Sequence, residues 1–143
     1  MTNGRVKGAN FEREICKMLV DELAEDAVEL GVLFNPRRNL EQTRAVAQGD
    51  VADVQGWSIE CKRFKSTASG RPDGFKPKWW SQTTEAANFA GTEPALVFKY
   101  DRQPIQCVIR LSSINADYLG KDNVAQVSFP TLCMLIRESW IND

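Results

Sequence analysis

The sequence predicts a single α/β domain, and three observations carry the prediction. The length, 143 residues, suits one buried core and is short for two domains joined by a linker. A long helical pattern opens the chain, and short strand-like runs bounded by turn residues then alternate with further helical stretches. No repeat or low-complexity tract interrupts this order.

The opening helix is expected from about Ala9 to Leu30. Phe11, Ile15, Leu19, Leu23, Ala27 and Leu30 recur at helical spacing, and Gly31 is a stop. An edge strand is expected over Arg38 to Val46, then a hairpin of Val51 to Val54 and Trp57 to Phe64 closed by Gln55-Gly56. Lys65 to Pro77, rich in Ser, Gly, Pro and Lys, reads as a surface loop, and Lys78 to Ala90 as a helix ended by Gly91. Strands follow at Pro94 to Tyr100 and Ile105 to Leu111, with a turn at Asp101 to Pro104 between them. A short helix capped by Ser112 or Ser113 and running through Tyr118, a strand near Val124 to Ser128, and a helix from about Pro130 to Glu138 complete the pattern.

Composition narrows the chemistry. There is no histidine, so histidine-based metal sites, triads and general bases are excluded, and catalysis must use carboxylates, lysine or metal-bound water. Cys16, Cys61, Cys107 and Cys133 lack the close pairing of a zinc site and read as buried, reduced thiols. No apolar run approaches a membrane span, and the N-terminus lacks the apolar core of a secretory signal, so a cytoplasmic protein is expected. Net charge is −1, but base gathers locally at Arg37, Arg38 and Arg44 and again at Lys62, Arg63, Lys65, Arg71, Lys76 and Lys78. Such clustering permits a phosphate-binding face.

The hairpin holds the most informative spacing, with Asp53 seven residues before Glu60 in Glu60-Cys61-Lys62. With Gln55-Gly56 as a two-residue turn, Asp53 faces Ser58 and Val51 faces Glu60, so alternation puts Asp53, Glu60 and Lys62 on one side. Asp50 then points to the other side unless a bulge or a longer turn shifts the register. Two carboxylates and an ammonium on one face suit a hard divalent cation beside a phosphate; the competing interpretation is an exposed face of mixed charge. Glu12 falls within the apolar stripe of the first helix, where a buried carboxylate requires a metal ion, a lysine or a hydrogen-bond donor. Alternatively it sits at an exposed first turn, where acid suits the helix dipole.

Lys7-Gly-Ala-Asn-Phe-Glu-Arg-Glu14, Asp53 and Glu60-Cys-Lys62 resemble the PD-(D/E)XK nuclease superfamily, especially archaeal-type Holliday junction resolvases and related small phage endonucleases. The resemblance continues through Trp79 to Ala87 and Pro94 to Pro104, and so covers most of residues 5 to 111. It implies a restriction-endonuclease-like central mixed sheet flanked by helices. It further implies Glu12 as the first-helix carboxylate, Asp53 and Glu60 as central metal ligands, Lys62 as the catalytic lysine and Gln82 as an active-site polar group. The Cys61 carbonyl is implied as a further ligand, Mg²⁺ as the cofactor with Mn²⁺ as a substitute, and a bacterial or phage-infected cell as the setting. The sequence departs from the pattern at Ala52, where proline usually precedes the central aspartate, and in the short link from Asp53 to Glu60. The stretch from Ser112 onward carries no motif that can be assigned.

The expected substrate is DNA, contacted by Arg37, Arg38, Arg63, Lys65, Arg71, Lys76 and Lys78, with Trp79 and Trp80 either packed or stacking on bases. Nothing resembles a base-reading helix, which favours structure-selective or non-specific cleavage over recognition of a fixed sequence, and branched DNA is the expected substrate. A four-way junction cut symmetrically calls for a C2 homodimer, with Leu132, Met134, Leu135, Ile136, Trp140 and Ile141 as candidates for core or dimer contact. The alternatives are a general, nicking or flap endonuclease of the same fold, and a DNA-binding protein that keeps the fold without cleavage.

Overall fold

The computed structural model describes residues 4–40, 49–65, 74–118 and 123–142. Helix α1 (Gly4–Leu30) begins earlier than the apolar periodicity indicates. Phe11, Ile15, Leu19, Leu23 and Ala27 are buried along one stripe, whereas Leu30, also expected there, is exposed because the helix ends at that residue. Gly31 takes φ 67°, its N–H bonds to the Val28 carbonyl at 3.2 Å, and the Val32 N–H reaches the Ala27 carbonyl at 3.2 Å. These paired bonds satisfy carbonyls that the helix end would otherwise orphan.

Among the described residues, six strands form one sheet in the order β1 (Phe34–Arg38), β2 (Val51–Val54), β3 (Trp57–Phe64), β4 (Glu93–Tyr100), β5 (Gln106–Arg110) and β6 (Val124–Ser128). The β3–β4 pair is parallel and the others are antiparallel, so the sheet is mixed. The parallel pair needs a crossover, which carries α2 (Pro77–Ala90). Alternation along β3 sorts its side chains. Trp57, Ile59 and Cys61 join the large core with α1 and α3 (Phe129–Ile141), while Leu96, Phe98, Tyr100 and Val108 pack with Trp79 of α2 on the other face. Glu60, Lys62 and Phe64 therefore lie on the α2 side.

Several expectations change. The edge strand β1 spans Phe34–Arg38, because Asn35-Pro36 is tolerated on an edge strand; of the strand expected over Arg38 to Val46, residues 41–46 lie outside the described residues. The helix expected from Ser112 or Ser113 through Tyr118 is only a 3₁₀ turn over Leu111–Ser113. Helix α3 begins where Ser128 Oγ accepts from the Thr131 N–H at 3.3 Å, with a proline in its first turn. It runs to Ile141 and divides its apolar residues: Leu132, Ile136 and Trp140 are buried, while Met134 and Ile141 are exposed. Three of the four cysteines are buried as expected, and Cys16 is half-buried. Among the described residues no helix is long and apolar enough to cross a membrane.

Candidate active site

The β2–β3 hairpin turns at Gln55-Gly56, with Gly56 at φ 83°, but its register is one residue off that of a plain two-residue turn. Val51 pairs with Ile59, not with Glu60. The extra residue in the first arm is accommodated at Asp53, whose backbone leaves the extended region for φ 62°. Aspartate tolerates this left-handed conformation better than most residues. The expected placement of Asp53 beside Glu60 is thereby corrected. Its carboxylate instead meets the edge strand, where Arg37 Nε donates to Asp53 Oδ2 at 2.9 Å.

Asp50 occupies the position that the register shift opens. It is buried at 8% exposure, its Oδ2 accepts from the Cys61 N–H at 2.8 Å, and its carboxyl shares a hydrogen bond with that of Glu60. The backbone ahead of it is tightly set. A Cβ on Gly49 would collide with the Ile59 carbonyl and lie 3.1 Å from Glu60 Oε1, so only glycine permits this approach. Buried Asn39 fixes the same segment: its N–H donates to the Asp50 carbonyl at 2.9 Å, and its Nδ2 donates to the Gly49 carbonyl at 3.1 Å.

Burial first, and then the neighbouring Asp50 carboxylate, push the Glu60 carboxyl up to about 9, against the opposing pull of the Lys62 ammonium. Glu12 lies close enough to sense Asp50, and burial raises its carboxyl above the ordinary range. Arg38 opposes that rise: its Nε donates to Glu12 Oε1 at 3.0 Å. The partner that an inward Glu12 requires is thus an arginine of β1. Burial also raises the thiols of Cys16 and Cys61, and nearby carboxylates add to the effect.

Asp50 and Glu60 present oxygen donors whose mutual repulsion is relieved by a shared proton or by a cation. This donor set fits a hard divalent ion such as Mg²⁺, which is commonly held by one or two carboxylates together with waters and substrate phosphate oxygens. Among the described residues, no group of three or more Cys, Asp or Glu side chains is gathered to hold a metal ion. Glu12, engaged by Arg38, stands as a neighbour of the pair rather than a third member.

The remaining predicted residues disperse. Gln82 is exposed on the flank of the α2 stripe formed by Trp79, Thr83, Ala86 and Ala87. Arg63, expected to contact DNA, is tied internally: it pairs with Asp101 at 2.6 Å and donates to the Phe64 carbonyl at 2.8 Å. Lys7 joins the same Asp101 at 2.7 Å, and hydrogen bonds from Lys7 first and then Arg63 hold that carboxyl below its ordinary range. Arg37 and Arg38 are paired with acids, Lys65, Lys76 and Lys78 are exposed, and Arg71 lies outside the described residues. Trp79 is packed in the core. Sequence reasoning missed Asn39, Gly49 and the pairing of Asp50. The available signal was a glycine directly before an aspartate at the entrance to a hairpin arm.

Residues 3–133 match the family model described as "Phage putative PDDEXK endonuclease". No curated protein and no solved structure matches the chain. The mixed sheet with flanking helices agrees with the restriction-endonuclease-like fold that the family match indicates, and the match spans most of the chain. The chain belongs to this phage family of PD-(D/E)XK endonucleases.

Proposed function

We propose that this protein is a divalent-metal-dependent DNA endonuclease that hydrolyses phosphodiester bonds, with a four-way junction as its substrate. The observation that carries the proposal is the contact of the buried Asp50 carboxyl with the half-buried Glu60 carboxyl beside Lys62. Repelling carboxyls are costly to keep together in a fold without a function for them. Asp50 and Glu60 would hold Mg²⁺, or Mn²⁺ in its place, with the Cys61 carbonyl and Glu12 as further candidate oxygen donors. When bound, the ion supplies Lewis acidity toward the phosphate and lowers the pKa of water.

The chain's own groups divide the remaining work. Lys62 offers a positive charge to the phosphate on the Glu60 face, where it orients a water or offsets charge developing on phosphate oxygens. Arg38 opposes the rise that burial imposes on the Glu12 carboxyl and holds it in place. Exposed Lys65, Lys76 and Lys78 track the DNA backbone. Symmetric incision of a junction requires two such sites, hence a C2 homodimer, with exposed Met134 and Ile141 of α3 available for contact.

A synthetic four-way junction and a supercoiled plasmid, each incubated with Mg²⁺ or with EDTA, test the proposal. Paired incisions in the junction, dependent on Mg²⁺ and absent in E60A and K62A, are expected. Scission of plasmid but not junction would move the assignment to a general or nicking endonuclease. Binding without scission in any metal would leave a non-catalytic DNA-binding protein.

A further inference from the structure

Beyond the carboxylate pair, the same face of β3 ends in an aromatic whose setting is unusual for a strand terminus. Phe64 lies two residues past Lys62 and four past Glu60, which is about 7 Å and about 13 Å along an extended strand. Its ring stacks on Trp79 with centroids 4.9 Å apart and planes inclined by 16°. Trp79 is 5% exposed and braced by Phe98 and Tyr100, whereas Phe64 is 41% exposed. The backbone beneath the ring is fixed as well: the Phe64 carbonyl accepts from the Asp101 N–H at 3.1 Å and from Arg63 at 2.8 Å. Lys76 Nζ lies 5.9 Å from the Phe64 centroid and 5.8 Å from the Trp79 centroid. Being equidistant from two stacked rings, it sits beside the pair and not on the outer face of Phe64.

We propose that Phe64 is a stacking platform for an unpaired DNA base, with Lys76 beside it to meet the adjoining phosphate. The aromatic face suits any base, the cation suits the backbone, and the rigid support means that little order has to be gained on binding. A base inside a paired duplex is stacked on its neighbours and cannot meet this ring. The platform therefore selects DNA whose base stack is interrupted, at an unpaired base or at the crossover of a junction, within a nucleotide or two of a phosphate bound beside Glu60 and Lys62. The proposal rests on the endonuclease assignment for its location, but its test does not depend on cleavage.

The test is binding of a short single strand carrying 2-aminopurine to the full-length protein in EDTA, with a paired duplex of the same length as reference. Emission of the probe reports its binding to the wild type and to each variant. The ratio of single-strand to duplex affinity is expected to fall about tenfold in F64A and in F64L, which keeps apolar bulk without a π-face, and to recover in F64W. Thermal melts identify which variants are folded, and F64L serves if F64A is not. An unchanged ratio in either folded variant, or no single-strand binding by the wild type, would overturn the platform. If these binding results hold while Mg²⁺ elicits no scission, the endonuclease assignment fails and the platform stands.

Discussion

Arg37 Nε donates to Asp53 Oδ2 at 2.9 Å across the β1–β2 pair, so the aspartate closer in sequence to Glu60 is turned away from it. Asp50, ten positions before Glu60, is the one that shares its hydrogen bond. Substitution separates the two. D50N is expected to reduce Mg²⁺-dependent cleavage by about a hundredfold or more, as loss of a metal-site group does. D53N keeps a side chain suited to φ 62° and loses only a surface ion pair worth about 0.2–1 kcal/mol, so its cleavage rate should stay close to wild type. Side-by-side turnover of the two variants checks the assignment, and the reverse ranking would return Asp53 to the site.

That exchange of aspartates marks where the sequence stops being legible. Glu60 and Lys62 could be placed on one face because alternation within a single strand needs no knowledge of a partner's register. Choosing between Asp50 and Asp53 did need it, and the register depends on one backbone torsion at Asp53 that no neighbouring residue type dictates. The α1 stripe was readable because five buried residues repeat at one helical spacing. The arginine that meets Glu12 was not, since Arg38 lies 26 residues away on a strand whose limits the Asn35-Pro36 pair obscured. Helix α3 was visible as an apolar stretch, but only the packed structure divides it into buried Trp140 and exposed Ile141.

Glu60 gives the cation-free protein a characteristic pH dependence. Its carboxyl is raised from 4.5 to about 9, so within that window the folded chain keeps a proton that the unfolded chain has released. Stability in EDTA should therefore fall as pH rises, by up to about 1.4 kcal/mol per pH unit for this group alone. Urea melts at roughly pH 6 and pH 8 should show the loss in wild type, and E60Q, which cannot ionise, should show much less of it. Parallel pH profiles for the two proteins would contradict the buried contact with Asp50.

The Arg38–Glu12 pair predicts a measurable coupling. Both groups are mostly shielded, with side-chain exposures of 27% and 18%, so either left alone carries an uncompensated charge. R38M should cost on the order of 1–3 kcal/mol at neutral pH and less at acid pH, where Glu12, already raised by burial, takes up a proton. E12Q combined with R38M should be less damaging than the sum of the single changes, by about 0.5 kcal/mol or more in denaturant melts. Strict additivity would mean that the 3.0 Å contact contributes nothing in solution.

Trp140 links α3 to the hairpin that carries the carboxylates. Its Nε1 donates to the Gln55 carbonyl at 2.9 Å, its ring meets Phe34 edge-on at 5.4 Å, and one residue earlier Ser139 Oγ accepts from Trp57 Nε1 at 2.9 Å. The helix therefore braces the turn from below through one carbonyl and one indole. W140A should cost about 3–5 kcal/mol, from lost burial and the cavity left behind. W140F, which keeps an aromatic ring but leaves the Gln55 carbonyl without this donor, should cost about 1–3 kcal/mol. Calorimetric melts give both numbers. Hydrogen exchange at the amides of Gly56 and Trp57 gives the local consequence: in W140F exchange there should quicken more than in the α1 core around Ile15 and Leu19, because the lost bond belongs to the turn. Uniform acceleration across both regions would show that α3 stabilises the whole domain without bracing the hairpin.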